Sequence, residues 1–158
     1  MFTTTLGVAI LSLGWGDAPA TWHTEYSKAV AEACTSDKPL FIVICPGSSD
    51  YGRFAALGMF VSDNIERTLR TDYVRLIVDT ETAAGKELAL KFDAGDDPHF
   101  VILDRSAKWQ VFYQSGNLGE SRLGPVLAKN RRVKLSATGR PIHDVAQARR
   151  EVVQLCST

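Results

Sequence analysis

Thiols are the side chains of this sequence best suited to chemistry, and one of them stands at a suggestive place. Cys34, Cys45 and Cys156 are the only cysteines among the 158 residues. Cys45 opens the tetrapeptide CPGS at residues 45–48, a Cys-x-x-Ser pattern that follows an apolar run directly. A helix beginning at Cys45 would favour the thiolate through its dipole, and a single thiolate can form mixed disulfides.

A simpler interpretation of Cys45 is favoured by its immediate neighbours. Pro46 and Gly47 follow the apolar run at once, so no loop separates Cys45 from it. Cys45 is then expected to end a strand as a small buried residue or to form a structural disulfide. If the chain is exported, Cys156 could bridge either Cys34 or Cys45, because the odd number of cysteines leaves one thiol over.

Other reactive residue types do not combine into a recognisable site. His23, His99 and His143 are scattered, and no pair has the spacing of a helical or Cys-rich metal site. Ser49 does not lie in a Gly-x-Ser-x-Gly pattern, and no His or Asp partner for it is identifiable. We therefore expect no metal site and no cofactor.

The elements that must position these residues follow from the apolar pattern. Residues Leu40–Ile44 are uninterruptedly apolar and rich in β-branched types, which is typical of a central strand covered on both faces. Before it, an apolar stripe through Tyr26, Ala29 and Ala33 predicts a helix with Thr24 as its N-cap. The remaining predicted elements are a helix from Ser49, a helical piece capped by Ser62-Asp63, a strand over Tyr73–Asp79, a helix over Ala83–Phe92, a hairpin of His99–Leu103 with Trp109–Gln114, and a helix over Ser121–Ala128, in which Pro125 fits only if the first turn starts late.

Length and charge limit the range of functions. A chain of 158 residues is expected to form one domain. The formal net charge is zero, but residues 129–158 contain seven Lys or Arg residues and only two acidic residues. Basic residues without interleaved aromatics make a poor case for nucleic-acid binding, so we expect none. Residues 129–158 are predicted to be a basic extension with an amphipathic helix.

The N-terminal residues 1–20 resemble a secretory signal peptide. The apolar run Leu6–Leu13 has the right length, and Ala18-Pro19-Ala20 fits an A-x-A cleavage pattern, although no Lys or Arg precedes the run. We predict cleavage after Ala20 and a periplasmic or extracellular location, with a cytoplasmic location and a packed N-terminal strand or helix as the alternative. The run is too short to span a membrane, and no stable span is expected.

The order of these elements, with the residues in them, resembles a thioredoxin. The resemblance covers roughly Trp22 to Ala128, within a predicted domain of residues 21–128. The pieces that carry it are the aromatic-rich helix Trp22…Tyr26…Ala29…Ala33, then Lys38-Pro39-Leu40-Phe41-Ile42, Phe60…Ser62-Asp63, Val74…Val78-Asp79, and Pro98 before Phe100–Asp104. It implies an α/β, three-layer, thioredoxin-like fold with a central mixed sheet of about four to five strands between helices, followed by a C-terminal helical extension.

The same resemblance implies a site and shows a departure from it. It places the two redox thiols at Ser49 and Gly52, where this sequence has none. It also implies a cis Pro98, with a groove beside it formed by Ser49, Asp50, Tyr51, Gly52, Pro98 and His99. His99 itself is expected to be a partly exposed spacer.

Two functions remain open from the sequence. The first is a redox-inactive thioredoxin-like module with a degenerate active site, which binds an unidentified protein or peptide in that groove. The second is a monothiol, glutaredoxin-like thiol-disulfide oxidoreductase that uses Cys45. Dithiol exchange needs an attacking and a resolving thiol, so we favour the first and lean against an enzyme.

Overall fold

The computed structural model describes residues 22–47, 62–116, 118–132 and 140–141, in which helices cover a central sheet. In chain order the elements are α1 (Tyr26–Ser36), β1 (Leu40–Cys45), α2 (Asp63–Asp72), β2 (Val74–Asp79), α3 (Ala83–Lys91), β3 (His99–Leu103), β4 (Trp109–Ser115), α4 (Glu120–Asn130) and β5 (Arg140–Pro141). The five strands lie in the order β2-β1-β3-β4-β5. The predicted α/β architecture with a mixed sheet is confirmed.

β1 lies inside the core, and all six of its residues are buried. It pairs in parallel with β2 and antiparallel with β3. Ile42 and Ile44 point to the face covered by α1 and α3, whereas Phe41 and Val43 point to the face covered by α2 and α4. The continuous apolar run therefore reflects burial on both faces, as the sequence predicted.

The strand directions bring two sets of chain segments to opposite ends of the sheet. Cys45 pairs with Asp79, so β1 and β2 finish side by side, and His99 pairs with Ile44, so β3 starts there. We call this the Cys45 end. Lys38, which precedes β1, belongs to the other end, which we call the Lys38 end.

Several helix boundaries differ from those predicted. Glu25, not Thr24, occupies the N-cap of α1, and no side chain caps that helix. In contrast, Thr82 caps α3, since its Oγ1 accepts the Gly85 N–H at 3.0 Å. Pro125 lies inside α4, which starts at Glu120, so the expected late start is wrong. Buried Leu123 and Leu127 hold this helix against the sheet on either side of Pro125.

Parts of the predicted organisation lie outside the described residues. They are the signal peptide at residues 1–20, the helix from Ser49 and the amphipathic segment after Ile142. Arg140 and Pro141 pair with Gln110 and Trp109, so the chain beyond α4 adds a short strand to the sheet. Among the helices that the structure describes, none is long and apolar enough to cross a membrane.

Candidate functional site

Cys45 is the last residue of β1 and belongs to the core. Its side chain is 0% exposed and lies in the apolar cluster under α2 and α4. Its carbonyl oxygen accepts the Thr80 N–H at 3.0 Å, which ties the end of β1 to the residue after β2. Cys45 therefore has strand geometry, the simpler of the two alternatives for this residue.

The turn after Cys45 brings a carboxylate to the end of β1. Gly47 is buried and has φ +78°, a left-handed conformation that favours glycine. A Cβ atom at Gly47 would lie 3.0 Å from Glu81 Oε1, so this turn packs directly on the Glu81 side chain. The Glu81 N–H donates to Asp79 Oδ1 at 2.9 Å, which fixes the loop after β2. The carboxylates of Asp79 and Glu81 thus lie at the Cys45 end.

Pro98 is trans, since no peptide bond among the described residues is cis. The cis isomer predicted for Pro98 is therefore wrong. Trans is the more stable isomer of an X–Pro bond, and the start of β3 accommodates it. The Pro98 carbonyl accepts the Gly116 N–H at 2.8 Å, which continues the pairing of β3 with β4. Because proline has no N–H, Pro98 cannot return a hydrogen bond to Gly116, and β3 begins at the next residue, His99.

His99 is buried, not the partly exposed spacer that the sequence predicted. Only 3% of the residue is exposed. The ring centroids of His99 and Tyr113 are 5.3 Å apart, and His99 Nδ1 hydrogen-bonds the Asp97 carbonyl. Because His99 pairs with Ile44, its side chain lies on the face opposite to that of Cys45. Tyr113 lies on the neighbouring strand β4 and packs against the His99 ring, a contact that the residues next to His99 in the sequence do not indicate.

The structure thus brings Cys45, Pro98 and His99 to one end of the sheet but does not join their side chains. Ser49, Asp50, Tyr51 and Gly52, the other predicted groove residues, lie outside the described residues. Among the side chains that the structure describes, no three His, Cys, Asp or Glu residues converge into a group that could hold a metal.

A groove beside the Cys45 end was not predicted from the sequence. It has a volume of about 650 Å3 and lies between the start of α1, the end of β2 and α3. Its lining includes Tyr26, Asp79 and Leu88. Burial raises the pKa of Tyr26, with a smaller contribution from Cys34, so its hydroxyl stays neutral in the groove wall. The signal in the sequence was weak, since these residues come from three separate elements.

Comparison with known proteins identifies the fold. No protein-family model matches the chain, and no curated protein matches it. Among solved structures, the solution structure of a thioredoxin from Thermus thermophilus superposes with a TM-score of 0.59 at 17% sequence identity. The match covers 74% of this chain and 91% of the thioredoxin. At this identity the match bears on the fold alone, and it agrees with the mixed sheet and its helices: the chain has a thioredoxin-like fold.

Proposed function

We propose that this chain is a thioredoxin-like binding module that holds an extended segment of another protein or peptide and does not exchange disulfides. The binding surface in this proposal is the Cys45 end with Pro98 and the backbone at His99, together with Ser49–Gly52, which the sequence predicts to belong to the same groove. The observation that carries the proposal is the complete burial of Cys45 at the end of β1.

The redox half of the proposal rests on the positions of the thiols. No two of the three cysteines are separated by two residues, so a Cys-x-x-Cys pair does not exist in this sequence. Dithiol exchange requires an attacking thiolate and a neighbouring resolving thiol. Cys45 alone would have to ionise inside an apolar cluster, where a charge is costly. The monothiol alternative therefore needs Cys45 to leave the core before it can react.

The binding half of the proposal rests on what the Cys45 end exposes. Pro98 is half-buried, and Asp96 and Asp97 before it are exposed. Asp79 and Glu81 lie on the other side of the end of β1. A segment that carries Lys or Arg residues would be attracted by these carboxylates, and the attraction would weaken as salt rises.

Thiol reactivity tests the redox half. In the folded protein we expect a thiol reagent to label exposed Cys34 rapidly. Cys45 should react only after the core opens, at a rate at least about a thousandfold lower. Cys34→Ser and Cys45→Ser variants assign the two rates by mass spectrometry. Reduction of insulin or glutathione disulfide should be at background. Activity that Cys45→Ser abolishes and Cys34→Ser retains would instead establish the monothiol enzyme.

Selection from a random peptide library tests the binding half. We expect enriched peptides to be basic and their affinity to fall in Glu81→Gln and Asp97→Asn variants. Glu32→Gln, which removes an exposed carboxylate from α1, is the matched control and should bind normally. Equal affinity of all three variants, or enrichment that ignores charge, would refute binding at this surface.

Export is proposed on the sequence of residues 1–20. Expression in a cell with a secretion system, followed by intact-mass measurement, should give a product that begins at Thr21. A cytoplasmic product that keeps Met1 or Phe2 would support the alternative location.

A further inference from the structure

A second candidate site lies at the Lys38 end, away from the surface proposed above. It is a pocket of about 200 Å3 whose lining includes four cationic side chains, those of Lys38, Arg105, Arg131 and Arg132. We propose that this pocket binds a phosphate-type oxyanion, either inorganic phosphate or the phosphate group of a small monoester.

Arg105 is held in place by two contacts on different elements. Its Nη1 donates to Asp37 Oδ2 at 2.7 Å, and its Nη2 donates to the Arg131 carbonyl at 3.0 Å. Its Nε is buried and has no hydrogen-bond partner among the residues that the structure describes. A guanidinium fixed in this way has little rotamer freedom left to lose when a ligand binds.

The charge of the pocket favours an anion. Two carboxylates, Asp37 and Asp72, also line it, so among the described lining residues four cations against two anions leave a formal excess of two positive charges. Asp37 contacts Arg105, and Asp72 lies 3.7 Å from Arg131. Within the described part of the chain, no ion pair engages Lys38 or Arg132. These two side chains therefore carry charge that a ligand can neutralise.

The size of the pocket selects the kind of anion. A volume of about 200 Å3 corresponds to roughly six or seven waters at about 30 Å3 each, enough for one tetrahedral oxyanion and some solvent. An acidic peptide would need an extended groove. Guanidinium groups match phosphate oxygens with paired N–H donors, and a Lys ammonium adds a point charge.

Titration with inorganic phosphate, followed by amide NMR shifts, tests the proposal. We expect saturable shifts at residues 37–38, 71–72, 105 and 131–132 that chloride at the same ionic strength does not produce. Lys38→Gln and Arg132→Gln, which remove no described contact, should each weaken binding about tenfold, the loss expected for one charge-assisted hydrogen bond. Arg105→Lys keeps the charge without the planar fork and should weaken binding as well.

Lys86→Gln is the matched control, since Lys86 is an exposed cation on α3 outside the pocket. It should bind phosphate like the unaltered chain. A parallel titration with glycerol phosphate identifies the source, because a monoester ligand should then bind more tightly than free phosphate. Shifts that do not saturate, that chloride reproduces, or that Lys86→Gln weakens as much as Arg132→Gln would overturn the proposal.

Discussion

Tyr73 links the core to the stability of the protein at high pH. It is 2% exposed, and its hydroxyl donates to the Leu127 carbonyl at 2.7 Å. Burial raises the pKa of Tyr73 far above its usual 10.0, the neighbouring Asp72 raises it further, and Arg131 opposes the shift. The phenol therefore stays protonated in the folded state after the unfolded chain has begun to lose that proton.

The sign of the resulting pH dependence follows from proton linkage. Below pH 10 the folded and unfolded states both keep the Tyr73 proton, so Tyr73 contributes its full stabilisation there. Above pH 10 the unfolded chain binds fewer protons than the folded protein, and the free energy of unfolding falls as pH rises. Tyr73→Phe should cost about 0.5–1.5 kcal/mol at pH 8, because one hydrogen bond is lost while the Leu127 carbonyl keeps the Arg131 N–H. Urea unfolding at pH 8 and pH 11 checks this. The difference in free energy of unfolding between the unaltered chain and Tyr73→Phe should be smaller at pH 11 than at pH 8. An equal difference at both pH values would contradict a raised pKa of Tyr73 in the folded state.

At the same scale, sequence alone could place Cys45 but not His99 or Pro98. Burial of Cys45 follows from local features, because it continues an apolar run and precedes Pro-Gly. His99 is buried and contacts Tyr113 on the neighbouring strand β4, a contact that the residues next to His99 do not indicate. The resemblance to thioredoxins implies a cis Pro98, and the backbone of this chain differs there.

Two helical glycines make opposite predictions at the scale of the element. In α3, a Cβ atom at Gly85 would lie 1.8 Å from the Asp79 carbonyl oxygen, so this helix can approach the end of β2 only without a side chain. In α4, a Cβ atom at Gly124 would lie 3.8 Å from Ile65 Cδ1, which is an ordinary contact. Glycine is therefore required at the first position and merely tolerated at the second.

Gly85→Ala should destabilise the protein by about 1–3 kcal/mol, as overpacking in a core does. Gly124→Ala should stabilise it by up to about 1 kcal/mol, since alanine restricts the unfolded chain and favours the helix. Thermal unfolding of both variants beside the unaltered chain gives the two signs. Equal effects would show that α3 can move away from β2.

Most elements were predictable because their signals are local. The buried strands are apolar runs, and α1 has a clear apolar stripe with Ala29 and Ala33 inward. Boundaries were less predictable, as α4 shows: Pro125 argues against an interior position, but packing of Leu123 and Leu127 outweighs the hydrogen bond it removes. β5 has only two residues, too few for any periodicity.

At the scale of the whole molecule, the segment before α1 fastens one edge of the sheet. The His23 N–H donates to the Arg75 carbonyl at 2.8 Å, and the Ile77 N–H donates to the His23 carbonyl at 2.9 Å. Trp22 stacks on the Arg75 guanidinium 5.3 Å from its ring centroid and meets Phe41 edge-on. Buried Arg75 also pairs with Glu66 at 3.0 Å. Trp22 and His23 therefore cover a charged residue of β2.

Trimming the chain measures this contribution. A chain that begins at Thr24 should have a free energy of unfolding about 2 kcal/mol or more below that of a chain that begins at Thr21. The loss comprises the Trp22 ring contacts and the two backbone hydrogen bonds. Identical midpoints for both shortened chains would contradict a structural role for Trp22 and His23.

The length of β1 has a consequence for how the two ends of the protein communicate. Its six residues span five steps of about 3.3 Å, so roughly 17 Å separates Leu40 from Cys45. That distance exceeds the Debye length of about 8 Å at physiological salt, and it exceeds the range over which substitutions normally couple. In a double-mutant cycle, the free-energy changes caused by Arg132→Gln and Glu81→Gln should therefore be additive. Additivity would mean that β1 keeps the proposed anion-binding site and the proposed binding surface for basic peptides independent of each other.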